Sequence, residues 1–269
     1  MLRDITLGRY YPGSSLLHKI DPRIKIVLAA SLMITILLTN SYMAFIILAC
    51  LILFAIKCSK IPVLYTLKGL KPVIFIVVFT ALINIFFTPG RVLFEYWFVE
   101  ITLEGLDRGL KLAFRILLLV AGMSLLPLTT TPTTLTDGIE KICSPLKRIG
   151  VPVHDLAMIT SIALRFVPVL LDETNRIIKA QASRGADFET GNIIEKVKNY
   201  IPVMVPLFMN TFKRADELSL AMETRCYRGG DKRVRMKQLK VGTADLRILF
   251  FVLSFEIVLL YVQFLKILV

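Results

Sequence analysis

The sequence predicts an all-α polytopic membrane protein with about five membrane-spanning helices and a cytoplasmic segment of long, kinked helices. Hydrophobic residues make up 55% of the chain, and the mean hydropathy of +0.69 is high for a water-soluble domain. The apolar residues also occur in runs. With its flanks, each run approaches the ~20 residues that cross the hydrocarbon core of a bilayer.

Apolar runs with very few charged residues mark the predicted spans. They are Ile26–Thr39, Tyr42–Ile56, Val73–Thr88, Leu112–Leu128 and Ile248–Leu265. We therefore divide the chain into an N-terminal segment (1–23), four spans (24–128), a polar helical region (129–243) and a fifth span (244–269).

The charges between the runs predict the orientation of the chain. The stretch from Lys57 to Lys71 holds lysines and no acidic residue, whereas the stretch from Pro89 to Gly105 holds Arg91 among glutamates. The positive-inside rule makes the first stretch cytoplasmic and the second external. The N-terminus and the polar helical region are then cytoplasmic, and the C-terminus is external.

The polar helical region is too long to lack secondary structure. Its pattern predicts a short helix over Leu135–Arg148, a long helix from His154 to Ser183, and another from Ile193 to Thr224. Prolines lie inside the two long helices, and because proline removes a backbone hydrogen bond we expect kinks there. These prolines are Pro168, Pro202 and Pro206.

Each long helix is apolar in its first half and polar towards its end. The apolar positions are Leu156, Ile159, Ile162, Phe166 and Leu170 in one helix and Ile201, Val205, Phe208, Met209 and Phe212 in the other. This pattern suits helices that lie beneath a bilayer and pack on a membrane partner. Packing on the spans of the same chain would also account for it.

Each long helix also ends on an arginine between small residues, as Ser183-Arg184-Gly185 and Thr224-Arg225-Cys226. One such end would be ordinary, because the helix dipole favours a cation there. Two on consecutive helices indicate that the chain binds a partner protein. The planar guanidinium pairs bidentately with carboxylates and stays charged when partly buried.

A few polar residues fall inside the spans. Arg108, Lys111 and Arg115 share one helix face, where they either form an ion path or reach the interface and pair within the bundle. Asn84 and Glu256 are expected to face neighbouring helices. These residues are too few to line a substrate path, which disfavours the alternative of a conventional permease.

Other classes of function lack the residues that they need. The four cysteines are scattered without a Cys-x-x-Cys pair and there are two histidines, so no metal site is expected. His18 has no second ligand nearby and is expected to form hydrogen bonds at the membrane interface. We find no phosphate-binding loop, no acidic or zinc motif of a membrane enzyme, and no basic face for nucleic acid.

Several motifs resemble one family over essentially the full length of the chain. They are the opening Gly8–His18 with Asp21–Lys25, the stretch Leu164–Pro168 before Ala180–Gly185, and the two arginine ends. Together they resemble the transmembrane T component of energy-coupling factor (ECF) transporters. These transporters import vitamins or transition-metal ions across the cell membrane of prokaryotes.

The resemblance implies a scaffold without catalytic residues. Two cytoplasmic ATP-binding cassette (ABC) ATPases, which bind ATP and Mg²⁺, would be joined to a substrate-binding membrane subunit, the S component. Arg184 and Arg225 would dock in grooves on the ATPases, with Ser183, Gly185, Thr224 and Cys226 beside them. The family's usual pattern is Ala-Arg-Gly, from which the second end departs more than the first. The long helices would act as coupling helices, and the chain itself would bind no cofactor.

Overall fold

The computed structural model describes residues 10–96, 99–188, 192–227, 239 and 241–268. The chain divides into two compact units. The membrane unit is drawn from Gly8–Ile142 and Leu239–Val269, and the helix-pair unit mainly from Cys143–Gln238.

The described secondary structure is helical apart from one hairpin. In chain order it consists of α1 (Leu16–Lys19), α2 (Pro22–Leu38), α3 (Tyr42–Ser59), α4 (Val63–Phe87), β1 (Val92–Tyr96), β2 (Val99–Thr102), α5 (Leu103–Thr129), α6 (Pro132–Cys143), a 3-10 helix (Ser144–Ile149), α7 (Val153–Ser183), α8 (Ile193–Thr224) and α9 (Thr243–Leu268). The all-α membrane fold class is confirmed. The antiparallel pair β1 and β2 occupies the stretch predicted as an external loop.

Among the described residues, five helices are long and apolar enough to cross a membrane, and four of them correspond to predicted spans. They lie at Tyr42–Ser59, Gly69–Phe87, Leu103–Thr129, Val153–Ser183 and Thr243–Leu265. The predicted first span corresponds to α2, which at 17 residues is about 25 Å long and shorter than the others. The fifth helix is α7, which meets the same criteria of length and composition.

Helix α5 lies at the centre of the membrane unit and packs antiparallel to α2. At one end, the buried Lys25 amine donates to Thr129 O at 2.9 Å, which satisfies a carbonyl at the end of α5. At the other end, the Arg115 guanidinium donates to Thr39 O at 2.7 Å. A buried cluster of apolar side chains joins these helices to α3 and α9: Ile36, Phe45, Leu48, Ile52, Ile56, Leu118 and Leu259.

Helices α4 and α5 approach closely because α5 carries glycines one turn apart. A Cβ at Gly105 would lie 2.9 Å from Asn84 O, and a Cβ at Gly109 would lie 3.1 Å from Ala81 O. Small residues at this spacing let two helix backbones meet inside a membrane. Helix α5 begins at Leu103, nine residues before the apolar run, and Thr102 Oγ1 accepts from Gly105 N at 3.1 Å at its start.

Helices α2 and α9 run parallel. Arg23 NH2 donates to Leu239 O at 3.3 Å just before α9, whereas Gln263 Nε2 donates to Leu38 O at 3.3 Å near the far end of both helices. The start of α9 therefore lies on the same side of the unit as the start of α2. This is the relation that the predicted topology requires.

The helix-pair unit contains α7 and α8, which begin and end close to the predicted residues. Pro152 precedes α7, and the Glu195 side chain accepts from Asn192 N at 3.1 Å at the start of α8. The predicted helix over Leu135–Arg148 is wrong as one element. It divides at Cys143 into α6 and the 3-10 helix, which has Pro145 in its first turn.

Candidate functional site

The end of α7 presents Arg184 on a tightly hydrogen-bonded turn. Arg184 is the residue at which the helix ends, Gly185 N donates to Ala182 O at 3.0 Å, and Ala186 N donates to Gln181 O at 3.1 Å. This is the Schellman arrangement, which places the residue after the cap in the left-handed region. Gly185 has a φ of 88° and takes that conformation without strain.

The end of α8 has the same turn around Arg225. Cys226 N donates to Glu223 O at 2.8 Å, and Tyr227 N donates to Met222 O at 3.0 Å. Cys226 occupies the position of Gly185 and has a φ of 57°. A residue with a Cβ adopts this conformation at a cost of about 1–2 kcal/mol. The second end therefore keeps the backbone geometry of the first although its sequence differs.

The two arginines have nearly the same backbone conformation, with φ and ψ of −92° and 8° for Arg184 and −88° and 13° for Arg225. Both are exposed. Within the described part of the chain, neither guanidinium forms an ion pair or a hydrogen bond. The small neighbours of each arginine could be recognised in the sequence. The positive φ of the residue after each arginine could not.

The hydroxyl groups beside the arginines bond to their own helices. Ser183 Oγ donates to Lys179 O at 3.0 Å, and Thr224 Oγ1 donates to Ala221 O at 3.1 Å. Their hydrogen atoms are thus used within the helix, whereas their oxygens remain able to accept a hydrogen bond. Both residues are exposed at the helix end.

Helices α7 and α8 form an antiparallel pair. Tyr227 Oη donates to Met158 Sδ at 2.9 Å near the start of α7, and Arg214 NH2 lies 3.6 Å from Glu173 Oε2 farther along. Arg225 is therefore beside the start of α7 and Arg184 is at its end. The helical rise of 1.5 Å per residue separates these two ends of the pair by roughly 40 Å.

Gln181 makes a contact that the sequence did not predict. The carbonyl of Pro202 would normally accept from the backbone N four residues later, but that residue is Pro206, which has no N–H. Gln181 Nε2 donates to Pro202 O at 3.3 Å instead. Pro202 and Pro206 thus lie inside α8, as Pro168 lies inside α7, and Pro202 is joined to the turn that carries Arg184.

An apolar stripe follows one face of α8 at helical spacing, and we call it the α8 stripe. Its members are more than half exposed: Ile194 71%, Val197 61%, Ile201 53%, Val205 58%, Phe208 55% and Phe212 67%. Within the described part of the helix-pair unit this surface is exposed. The two explanations given for it in the sequence analysis therefore stay open.

The polar residues of the spans mostly bond within the membrane unit. Arg115 donates to Thr39 O and, at 2.8 Å, to Asn40 Oδ1, as predicted for pairing within the bundle. Lys111 Nζ lies 2.6 Å from Asp107 Oδ2, one turn earlier on its own helix. This ion pair accounts for Lys111 without an ion path.

Two further predictions concern single polar residues. Glu256 is buried against Ser31 and Thr35 of α2, so it faces a neighbouring helix as expected. The backbone of Asn84 lies against Gly105 of α5, and its side-chain amide donates to Thr80 O of its own helix at 2.9 Å. Asparagine side chains inside a helix commonly bond to the preceding turn in this way.

His18 has the hydrogen-bonding role predicted for it. Its Nδ1 lies 2.7 Å from Ser15 Oγ, and its Nε2 lies 2.9 Å from Tyr11 O. Within the residues that the structure describes, no group of three or more His, Cys, Asp or Glu is placed to hold a metal ion.

Comparison with known proteins gives the family. A family model described as cobalt transport protein, CbiQ, matches residues 13–237. The energy-coupling factor transporter transmembrane protein EcfT of Ruminiclostridium cellulolyticum is 55% identical over 245 residues, which cover 91% of this chain and 92% of that protein. The chain belongs to the family of energy-coupling factor transporter transmembrane proteins.

Other family members agree with this assignment over the same share of the chain. The EcfT proteins of Clostridium kluyveri and Lactococcus lactis are 50% and 42% identical, and the matches cover 91% of this chain and 92% of each of those proteins. The resemblance found in the sequence is confirmed. The chain is a multi-pass transmembrane component of an energy-coupling factor transporter, and these relatives are named as transporter components rather than as enzymes.

Proposed function

We propose that the chain is the coupling scaffold of an ATP-driven importer of vitamins or transition-metal ions. It joins two cytoplasmic ABC ATPases to one substrate-binding S component in the cell membrane of a prokaryote. The observation that carries the proposal is the pair of arginine ends. Two helix ends with the same turn present exposed guanidinium groups at opposite ends of one antiparallel pair, and neither group pairs with a residue that the structure describes.

Each arginine end suits one groove on one ATPase. The turn fixes the backbone on both sides of the arginine, so little further ordering is needed on binding. The guanidinium then pairs with carboxylates, or with the carbonyl groups at the end of a partner helix. Two ends separated by roughly 40 Å can reach two different subunits at the same time.

The α8 stripe is the proposed contact for the S component. It is apolar, exposed and continuous along the first half of α8, and it lies between the two arginine ends along the helix pair. An amphipathic helix of this kind packs against another apolar helix or groove. The S component would supply both the substrate site and the opposing apolar surface.

The mechanism follows from the antiparallel helix pair. Binding of ATP with Mg²⁺ closes the two ATPases, and the docked arginine ends move with them. Because Glu173, Gln181 and Met158 join α7 to α8 along their length, the displacement reaches the α8 stripe. The S component is then tilted or released. This coupling requires that the two ATPase states hold the ends in different positions.

The proposed topology has a cytoplasmic N-terminus and an external C-terminus. The positive-inside pattern supports this orientation, as does the parallel arrangement of α2 and α9. In this orientation both arginine ends face the cytoplasm, where the ATPases are. A permease with its own substrate path is disfavoured, because Arg115 and Glu256 are engaged with neighbouring helices.

Copurification from cells that express the complete transporter tests the proposal. We expect Arg184→Glu and Arg225→Glu each to weaken ATPase binding by on the order of a hundredfold, because a buried contact becomes repulsive. The double variant should lose the ATPases and substrate uptake but keep the S component. Arg176→Glu and Lys213→Glu are matched controls, since both residues are exposed on the same helices. Stoichiometric ATPases with the double variant would contradict the proposal.

A further inference from the structure

Helix α8 contains a segment that lacks two of its usual backbone hydrogen bonds, and we call residues 198–206 the proline segment. Pro202 and Pro206 have no N–H, so they cannot donate to the carbonyls of Lys198 and Pro202 as helical residues do. A helix bends most easily where such bonds are missing. The first part of α8 can therefore change direction relative to the rest of the helix.

The part of α8 beyond the proline segment is held on α7 by one carboxylate. Glu173 Oε1 accepts from Asn210 Nδ2 at 3.0 Å, and Glu173 Oε2 lies 3.6 Å from Arg214 NH2. This part of α8 thus moves with α7. The proline segment is where the first part can move separately.

The chain that follows Arg184 contacts the proline segment directly. Asn199 Nδ2 donates to Asp187 O. The rings of Phe188 and Tyr200 pack at an angle of 54°, with 5.3 Å between their centroids. Because the chain has left the helix at this point, it can shift relative to α7 and carry the proline segment with it.

A third contact reaches the proline segment from within the Arg184 turn. Gln181 O accepts from Ala186 N at 3.1 Å and so helps to close the turn. The side chain of the same residue donates to Pro202 O at 3.3 Å. Gln181 therefore replaces the bond that Pro206 cannot make, and it links the turn to the bend in α8.

The turn at Arg225 contacts a different part of the unit. Tyr227 Oη donates to Met158 Sδ at 2.9 Å, near the start of α7. Roughly 28 Å of helix separates Arg225 from Pro206, and the contacts of Glu173 lie between them. The two arginine ends share a turn but differ in what they can move.

The α8 stripe crosses the proline segment. Ile194 and Val197 come before it, Ile201 and Val205 lie within it, and Phe212 comes after it. A change of bend in this segment turns the first part of the stripe relative to the second part.

We propose that the ATPase docked at Arg184 moves the α8 stripe by bending α8 at the proline segment. Asn199 and Tyr200 are the positioning residues that transmit this movement. Arg225 binds the second ATPase through the same turn but keeps its end of α8 against α7. The S component receives the movement, so this inference rests on the proposed function.

Uptake and copurification with the complete transporter test the inference. Tyr200→Ala removes the ring contact from a position that is 43% exposed, so the chain should still fold. It should lower ATP-driven uptake roughly fivefold, the size expected when a substitution acts on coupling alone. Both ATPases and the S component should copurify in the normal ratio. Phe188→Ala should give the same loss, whereas Tyr200→Phe keeps a ring at this position and should retain normal uptake.

Asn199→Leu and Asn210→Leu are a matched pair, because each removes one amide donor from α8. Asn199 bonds to the chain after Arg184, whereas Asn210 bonds to Glu173, which keeps its contact with Arg214. Uptake should fall with Asn199→Leu and stay normal with Asn210→Leu. Equal uptake in the matched pair, or normal uptake with both Tyr200→Ala and Phe188→Ala, would overturn the inference. Loss of the ATPases from Tyr200→Ala would also overturn it, because docking and bending would then not be separate.

Failure of the proposed function would be recognised by a different result. ATPases that stay with the double variant of Arg184→Glu and Arg225→Glu would remove the docking on which the inference rests. Normal uptake with Tyr200→Ala would leave that docking intact and remove only the bending of α8.

Discussion

Helices α7 and α8 end in the same turn, but one turn contains glycine and the other contains cysteine. Gly185 and Cys226 both have a positive φ, and the two backbone hydrogen bonds around each arginine correspond one to one. Because the hydrogen bonds are the same in both turns, the capping geometry positions the arginine. The residue after the arginine determines how stable each turn is. The second turn should therefore be equally well formed but easier to open.

The largest loss of stability is expected when the unstrained turn at Gly185 is disrupted. Gly185→Val places a β-branched side chain at a φ of 88°, which should destabilise the end of α7 by about 2 kcal/mol. In the unaltered chain the Ala186 amide donates to Gln181 O, and hydrogen exchange of this amide should be faster in the variant. The helix interior near Glu173 should keep its protection. An unchanged Ala186 amide would mean that the turn does not depend on glycine.

The converse substitution should stabilise the strained turn at Cys226. Cys226→Gly removes the cost of a Cβ at positive φ, for a gain of about 1 kcal/mol. The amide of Tyr227, which donates to Met222 O, should exchange roughly five- to tenfold more slowly. Cys143→Gly is a comparison variant, because Cys143 has a negative φ and should lose stability instead. Faster exchange at Tyr227 in Cys226→Gly would contradict the strain assigned to this turn.

A smaller effect is expected from the contact that joins the first turn to α8. Gln181→Leu leaves Pro202 O without its side-chain donor, and the exposed site limits the cost to about 0.5 kcal/mol. Exchange should rise slightly at the end of α7 and near Pro206, while the Tyr227 turn stays unchanged. A change confined to the Tyr227 turn would show that Gln181 does not couple Pro202 to the end of α7.

Most of the helices could be predicted from the sequence because their signals are local. Apolar runs gave the spans, and glycine and proline placed the limits of α7 and α8 within about one residue. The close approach of α5 to α4 was missed, because it depends on the backbone contact of Gly105 and Gly109 with α4. The single helix predicted over Leu135–Arg148 ignored Pro145, which ends the α-helical hydrogen bonding.

The candidate site was predicted only in part. The arginines could be found from their position at helix ends, whereas the equivalence of the two ends could not. Cysteine rarely adopts a positive φ, so no local pattern predicts a Schellman turn at Cys226. The contact from Gln181 to Pro202 depends on tertiary packing, which no local pattern records.

The most direct test of the proposed equivalence is the affinity of each single variant for the purified ATPase pair. Arg184→Ala and Arg225→Ala should weaken binding by similar factors, on the order of tenfold to a hundredfold each, because each removes one charge-assisted contact of the same geometry. Arg176→Ala should bind like the unaltered chain. Binding that is lost with Arg184→Ala but unchanged with Arg225→Ala would show that the shared turn does not give the two ends a shared role.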